Sequence, residues 1–364
     1  MDISLYSSAL YVNMNILKEN VNALSGRHAS LIPVLKSDAY GLGLLPVART
    51  LYNHPAVSML AVAQVMEGAR LRQDGIGGRI LVLGGTLPRQ WPAAAELDLT
   101  LAVTRPGMVT ELDALGKPIQ VHLKIETGLN RTGIRPGAEL AGVICELKQT
   151  RYVNLTGTYS HFADAEARNR GRCQEQLERY RQALTQLAEA GIHPGLRHMS
   201  NSAAAEWFPD AEFDAVRIGR GLYMDSQDYP LGGIREMASW RAGIVGLQAF
   251  HAGTQLGYGS GIVLEKDTRV AMVNVGYGDG LNQQVARGGP VLISGQQARL
   301  LGCCMDQCFV DVGDIDCAVG SEVTLFGYDS MGNLLSSQEV AKLCNDEGCG
   351  LTAALGNRVA RIYE

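Results

Sequence analysis

Lys36 stands where a lysine can do covalent chemistry. The run Pro33-Val34-Leu35-Lys36-Ser37-Asp38-Ala39-Tyr40-Gly41-Leu42-Gly43 carries an apolar strand straight into a polar turn broken by two glycines. A lysine at such a strand end presents a primary amine that can form a Schiff base with a carbonyl. A carbonyl cofactor such as pyridoxal phosphate needs that amine, a hydroxyl for its phosphate, and backbone able to close around it. Lys36, Tyr40, Gly41 and Gly43 meet that need. A lysine capping a strand is also an ordinary solvated charge, so the rest of the chain decides between the two.

The elements that would position Lys36 are repeated βα units. Through roughly the first 230 residues, short β-type runs alternate with helical-period stretches, the pattern of a parallel sheet. The runs fall at 30–36, 59–65, 79–84, 97–103, 119–125, 153–161, 196–199 and 213–218. Between them, Leu177, Tyr180, Leu184 and Leu187 recur at three- and four-residue steps, one apolar helix face laid against a sheet. Eight βα repeats close a TIM barrel, so the spacing predicts an α/β fold with a (β/α)8 barrel over 1–236. After about Ser239 the texture changes to short, Val- and Gly-rich alternating segments, which predicts a mostly β domain over 237–364.

A barrel places its chemistry where strands end and loops begin. Lys36 ends the first run; Lys124 ends the fifth, with Arg131 in its loop; His161 ends the sixth. Asn201 and Ser202 follow the seventh, and Arg217, Gly219, Arg220 and Gly221 close the eighth. The Ser202 hydroxyl and the backbone amides around Gly219 and Arg220 are suited to hold a phosphate.

The composition excludes other classes. The 32 basic and 37 acidic residues are interspersed, without the basic face of a nucleic-acid binder. The eight cysteines show no paired C-x-x-C spacing, so no metal site is expected and the thiols are read as reduced and mostly buried. No run of eighteen apolar residues exists, and Met1-Asp2-Ile3-Ser4 lacks a signal pattern, which as given reads as a cytoplasmic chain.

Seven segments in order carry a family resemblance: Val34-Leu35-Lys36-Ser37-Asp38-Ala39-Tyr40-Gly41, Lys124-Ile125-Glu126-Thr127-Gly128-Leu129-Asn130-Arg131-Thr132-Gly133, Ser160-His161-Phe162-Ala163, His198-Met199-Ser200-Asn201-Ser202-Ala203, Val216-Arg217-Ile218-Gly219, Val275-Gly276-Tyr277-Gly278-Asp279-Gly280, and Cys304-Met305-Asp306-Gln307. Over nearly the whole chain they resemble the alanine racemases, fold-type III enzymes of pyridoxal phosphate. The resemblance implies that Lys36 bears the cofactor and serves as one base, on the D face. It implies that Tyr277, from the partner subunit of a homodimer, serves the L face. His161 and Arg217 would form the relay that activates Tyr277, with Arg217 facing the pyridine nitrogen and keeping it neutral. Arg131 would bond the phenolic oxygen and meet the substrate carboxylate, held by Lys124, which this family often carbamylates. Tyr40, Ser202, Gly219 and Arg220 would hold the phosphate, and Met305 would bound the substrate carboxylate.

Three positions depart from the family pattern. Glu126 replaces the usual aspartate and Leu129 the usual methionine. More consequential is Asn357, which stands where the family has a tyrosine before its Arg-Val/Leu-Pro-Arg segment. Asparagine frees volume and adds an amide suited to a hydroxymethyl side chain. The same substitution marks the serine racemases of vancomycin resistance, so the resemblance implies serine as the preferred substrate and alanine as the second, supplying D-amino acids for peptidoglycan precursors. Those enzymes carry a membrane-spanning segment that is missing here, which implies that this chain corresponds to the cytoplasmic domain of a membrane-bound protein. An ordinary alanine racemase is the alternative. Fold-type III decarboxylases fit less well, because they put an acid opposite the pyridine nitrogen where this chain has Arg217. Non-catalytic cofactor carriers fit less well too, because they need neither Tyr277 nor a second domain.

Overall fold

The computed structural model describes residues 5–224, 231–258 and 261–364; Met1–Ser4, read above for a signal pattern, lies outside them. Each expected run of the first half becomes a short strand: β2 Leu31–Pro33, β3 Leu60–Val62, β4 Ile80–Val82, β5 Thr100–Val103, β6 Ile119–Lys124, β7 Val153–Tyr159, β8 Leu196–His198 and β9 Val216–Ile218. The strands β3 to β8 form one parallel sheet in sequence order, and β2 pairs with β9 in a second. Single bridges at Leu31–Val57 and Val34–Ala61 join β2 toward β3. Backbone bonds from Asp214 to Arg197 and from Arg217 to Ser200 join β9 toward β8. The expected eight-stranded barrel thus takes the form of a six-stranded and a two-stranded parallel ladder, because the strands are only three to seven residues long.

Helices cover this array with one apolar face each. In Met14–Ser25, Asn13 caps two backbone amides at 3.0 Å and Ile16, Leu17, Val21 and Leu24 are buried. In Arg170–Glu189, Leu177, Tyr180, Ala183 and Leu187 are buried, while Leu184 is only partly covered. Burying one such large side chain stabilises the fold by about 1.5–3 kcal/mol.

The sheet of the second domain has nine strands among the described residues. It draws on both ends of the chain: β1 Ser8–Val12 pairs with β10 Ala238–Phe250 and, in parallel, with β19 Ala360–Tyr363. The remaining strands are β11 Gln255–Leu256, β12 Ile262–Val263, β13 Thr268–Val273, β14 Pro290–Ile293, β15 Gln296–Cys303, β16 Cys308–Asp311, β17 Glu322–Tyr328 and β18 Leu334–Leu335, with β11 and β12 forming a separate hairpin. A second pairing of β10 with β17 closes β10, β17, β14, β15, β16 and β13 into an antiparallel barrel. The cysteines are free as expected, but only Cys173, Cys308 and Cys317 are buried; Cys145 is exposed and the other four are partly so.

The two parts meet at the turn after Lys36. Gly41 has φ +82°, and a Cβ there would lie 2.0 Å from the Thr352 carbonyl oxygen. Backbone cannot yield as a side chain can, so Gly41→Ala is expected to cost at least about 2 kcal/mol, from collision and left-handed strain together. A thermal melt checks this: an unchanged midpoint would contradict the packing described.

Candidate active site

A cavity of about 500 Å³ opens at the C-terminal ends of the parallel strands. Lys36, Tyr40, Lys124, Arg131, His161, Asn201, Ser202, Arg217, Gly219 and Arg220 all line it. So do Tyr159, Glu166, Glu347 and Cys349, which the sequence did not single out.

The turn that presents Lys36 is strained. Ser37, Asp38, Ala39 and Tyr40 all have φ between 53° and 57°, four consecutive residues in a left-handed conformation that costs non-glycine residues about 1–2 kcal/mol each. Side chains and backbone hold it there. Glu67 accepts from the Ser37 amide at 2.6 Å, Asp38 accepts from the Leu44 amide at 3.1 Å, and Arg361 donates to the Gly41 carbonyl at 3.3 Å. Strain of this kind gathers at functional sites, where surrounding structure over-determines it.

At the β9 end, the amides of Gly219 and Gly221 donate to the Ser202 hydroxyl at 3.2 and 3.3 Å. The Tyr40 hydroxyl packs so closely that a Cβ on Gly219 would lie 2.2 Å from it. Two hydroxyls and the amides of Gly219 and Gly221 therefore meet at one spot, a cradle of a kind suited to an anion. Asn201 lines the cavity while its side chain caps the next helix, accepting from the Ala204 amide at 2.9 Å.

Arg217 is buried, with both terminal nitrogens of its guanidinium engaged. It donates to the carbonyls of Ser160, His198 and Met199, to His161 Nδ1 at 3.0 Å and to His198 Nδ1 at 2.8 Å. Burial brings its pKa down to about 10, which leaves it protonated at neutral pH. A guanidinium only donates, so both Nδ1 atoms must accept, and each of these histidines carries its proton on Nε2. Burial and Arg217 hold both imidazoles well below their ordinary pKa, hence neutral. His198 passes its Nε2 proton toward His122 Nδ1 at 2.9 Å, leaving His122 Nε2 buried without a partner among the described residues. On the other side, the His161 Nε2–H is free to donate to an oxygen acceptor.

Lys124 is buried and donates to the Thr132 hydroxyl at 2.7 Å. Burial first, then the like charges of Arg131 and Arg217, lower its pKa to about 8. The amine is therefore partly neutral near physiological pH.

Tyr277, Met305 and Asn357 do not line this cavity. Tyr277 and Met305 are exposed, and lie together on a loop of the second domain where the Tyr277 amide donates to the Cys304 carbonyl at 3.2 Å and the Gly278 amide to the Met305 carbonyl at 2.8 Å. Asn357 is also exposed. It lies beside that loop, between Gly356, whose amide donates to the Asp279 carbonyl, and Arg358, paired with Asp279 at 3.0 Å.

An amine on a strained turn, an anion cradle at the far strand, and a guanidinium-histidine relay between them define a cofactor-dependent enzyme built on a parallel βα scaffold. Residues 10–227 match the alanine racemase N-terminal domain and residues 237–363 the alanine racemase C-terminal domain. The chain is 33% identical to an alanine racemase of Desulforamulus reducens over 97% of both chains, and 34% identical to one of Desulfovibrio desulfuricans over 91% of this chain and 90% of that one. An alanine racemase structure from Streptomyces coelicolor superposes with a TM-score of 0.93 at 30% identity, covering 100% of this chain and 99% of that one. The chain belongs to the alanine racemase family, whose enzymes are isomerases that use pyridoxal 5'-phosphate. These relatives are named alanine racemase; they show the family and do not show the expected finer likeness to the serine racemases of vancomycin resistance. No helix among the described residues is long and apolar enough to cross a membrane.

Proposed function

We propose that this chain interconverts L- and D-alanine by moving one proton between two opposed bases, Lys36 and Tyr277. The observation that carries the reading is the convergence of Lys36, Arg217, His161 and the Ser202–Gly219 cradle in one cavity. Bound there, pyridoxal phosphate would supply an electron-withdrawing conjugated system that acidifies the substrate α-hydrogen. The cradle of Tyr40, Ser202 and the amides of Gly219, Arg220 and Gly221 would hold its phosphate. Arg131 meets the substrate carboxylate, with Met305 bounding that side. Arg217, protonated and held through its terminal nitrogens, would oppose protonation of the ring nitrogen. The His161 Nε2–H donates to the Tyr277 oxygen and stabilises it as a proton acceptor.

Tyr277 and Met305 lie outside the cavity of their own chain, which supports a homodimer in which each chain lends them to its partner's cavity.

Lys124 acts best as its carbamate. A neutral amine adds to carbon dioxide, forming the N–C bond and releasing one proton, and the resulting anion attracts Arg131 where an ammonium would repel it. Because the neutral amine is populated as pH rises through about 8, carbamate occupancy is expected to fall as pH drops below that value. Carbon-13 NMR with labelled bicarbonate reads this directly; a carbamate signal absent at pH 8.5, or unchanged in Lys124→Ala, contradicts it.

Asn357 supports a second reading, in which serine is turned over as well. Lent to the partner's cavity beside the Tyr277 loop, its amide would bond a substrate hydroxyl, an interaction that gives a polar site about 1–3 kcal/mol of discrimination. The test of the whole reading is kcat/KM for L-alanine and L-serine with pyridoxal phosphate. Alanine turnover is expected, and Asn357→Tyr is expected to lower the serine-to-alanine ratio about tenfold or more. An unchanged ratio removes the serine reading, and no turnover of alanine removes the racemase.

A further inference from the structure

Arg220 is the odd member of the phosphate cradle. Its backbone amide lies between those of Gly219 and Gly221, yet its side chain, only 7% exposed, lines the same cavity and is held by two carboxylates. Glu166, from the loop after β7, meets it at 3.1 Å, and Glu347, from the second domain, at 2.5 Å. Two carboxylates over-neutralise one guanidinium. A phosphate brought against Arg220 would find its guanidinium already paired with both carboxylates unless one of them withdraws. Both are placed to do so, since Glu166 and Glu347 are 49% and 45% exposed and can swing into water at little desolvation cost.

We infer that the Arg220 guanidinium is a phosphate-binding group held in reserve by Glu166 and Glu347, one of which yields its place to the cofactor phosphate. The inference rests on the cofactor reading above and deepens it, adding a side-chain cation to a cradle otherwise built of hydroxyls and amides. A planar guanidinium suits this exchange, because carboxylate and phosphate oxygens satisfy the same pair of N–H donors. Glu347 ties the exchange to the second domain, which closes the cavity wall beside Lys36.

The experiment compares dissociation constants of pyridoxal phosphate and of pyridoxal, which lacks the phosphate, for the native chain of both domains and its variants. Arg220→Met is expected to weaken pyridoxal phosphate binding about ten- to hundredfold while changing pyridoxal binding far less. Arg220→Lys should keep most of the preference for the phosphorylated ligand, and Glu347→Gln should strengthen it by removing a competing charge. A chain in which Arg220→Met weakens both ligands alike, or neither, overturns the inference and leaves Arg220 as a tie between domains, visible as a lowered melting temperature alone. Failure of the native chain to bind pyridoxal phosphate overturns the cofactor reading and this inference with it.

Discussion

Lys36→Ala is expected to reduce racemisation by about 10⁴-fold or more. A single general base contributes about 10²–10⁴-fold, and this substitution also removes the covalent anchor of the cofactor. Borohydride reduction should fix pyridoxal phosphate on the Lys36 peptide of the native chain and on no peptide of the variant. The strained left-handed turn from Ser37 to Tyr40 is held by Glu67, Leu44 and Arg361, not by the lysine side chain, so the variant should fold. Racemisation retained at more than about a hundredth of the native rate would contradict the role given to Lys36.

The second large effect is directional. Tyr277→Phe removes only the base on the L face, so racemisation should fall about 10²–10⁴-fold. Exchange of the α-hydrogen of D-alanine with deuterated water should persist through Lys36, while that of L-alanine should fall. The same pair of variants tests the shared site. If each cavity draws Lys36 from one chain and Tyr277 from its partner, a hybrid of Lys36→Ala with Tyr277→Phe contains one cavity with both native residues. A statistical mixture, half hybrid, should then recover about a quarter of native activity. No recovery on co-expression would place both bases within one chain.

Much of this site was legible because strand ends and short motifs are local. Lys36, Lys124, His161, Ser202 and Arg217 each follow an apolar run, and periodicity alone put them at one end of a sheet. What stayed hidden depends on contacts distant in sequence. Glu347 and Cys349 reach the cavity from a segment without apolar periodicity or motif, more than 100 residues beyond Arg220. Ser8–Val12 falls within the span read as the barrel, yet it pairs with β10 and β19 in the other sheet, because pairing partners leave no trace in a five-residue pattern. Gly41 and Gly43 announced a tight turn, but not that four non-glycine residues before them would be left-handed; only tertiary contacts impose that conformation. The tautomers of His161, His198 and His122 likewise follow from Arg217 donating to two rings at once, a geometry that spacing does not contain.

The most direct measurement is chiral analysis of L-alanine incubated with the purified chain and pyridoxal phosphate. Enantiomers have equal free energy in water, so a racemase drives either one to an equimolar mixture and stops there. D-alanine rising to half the total, from either starting enantiomer, is the result expected. Cofactor bound at Lys36 with L-alanine left optically pure would contradict the account.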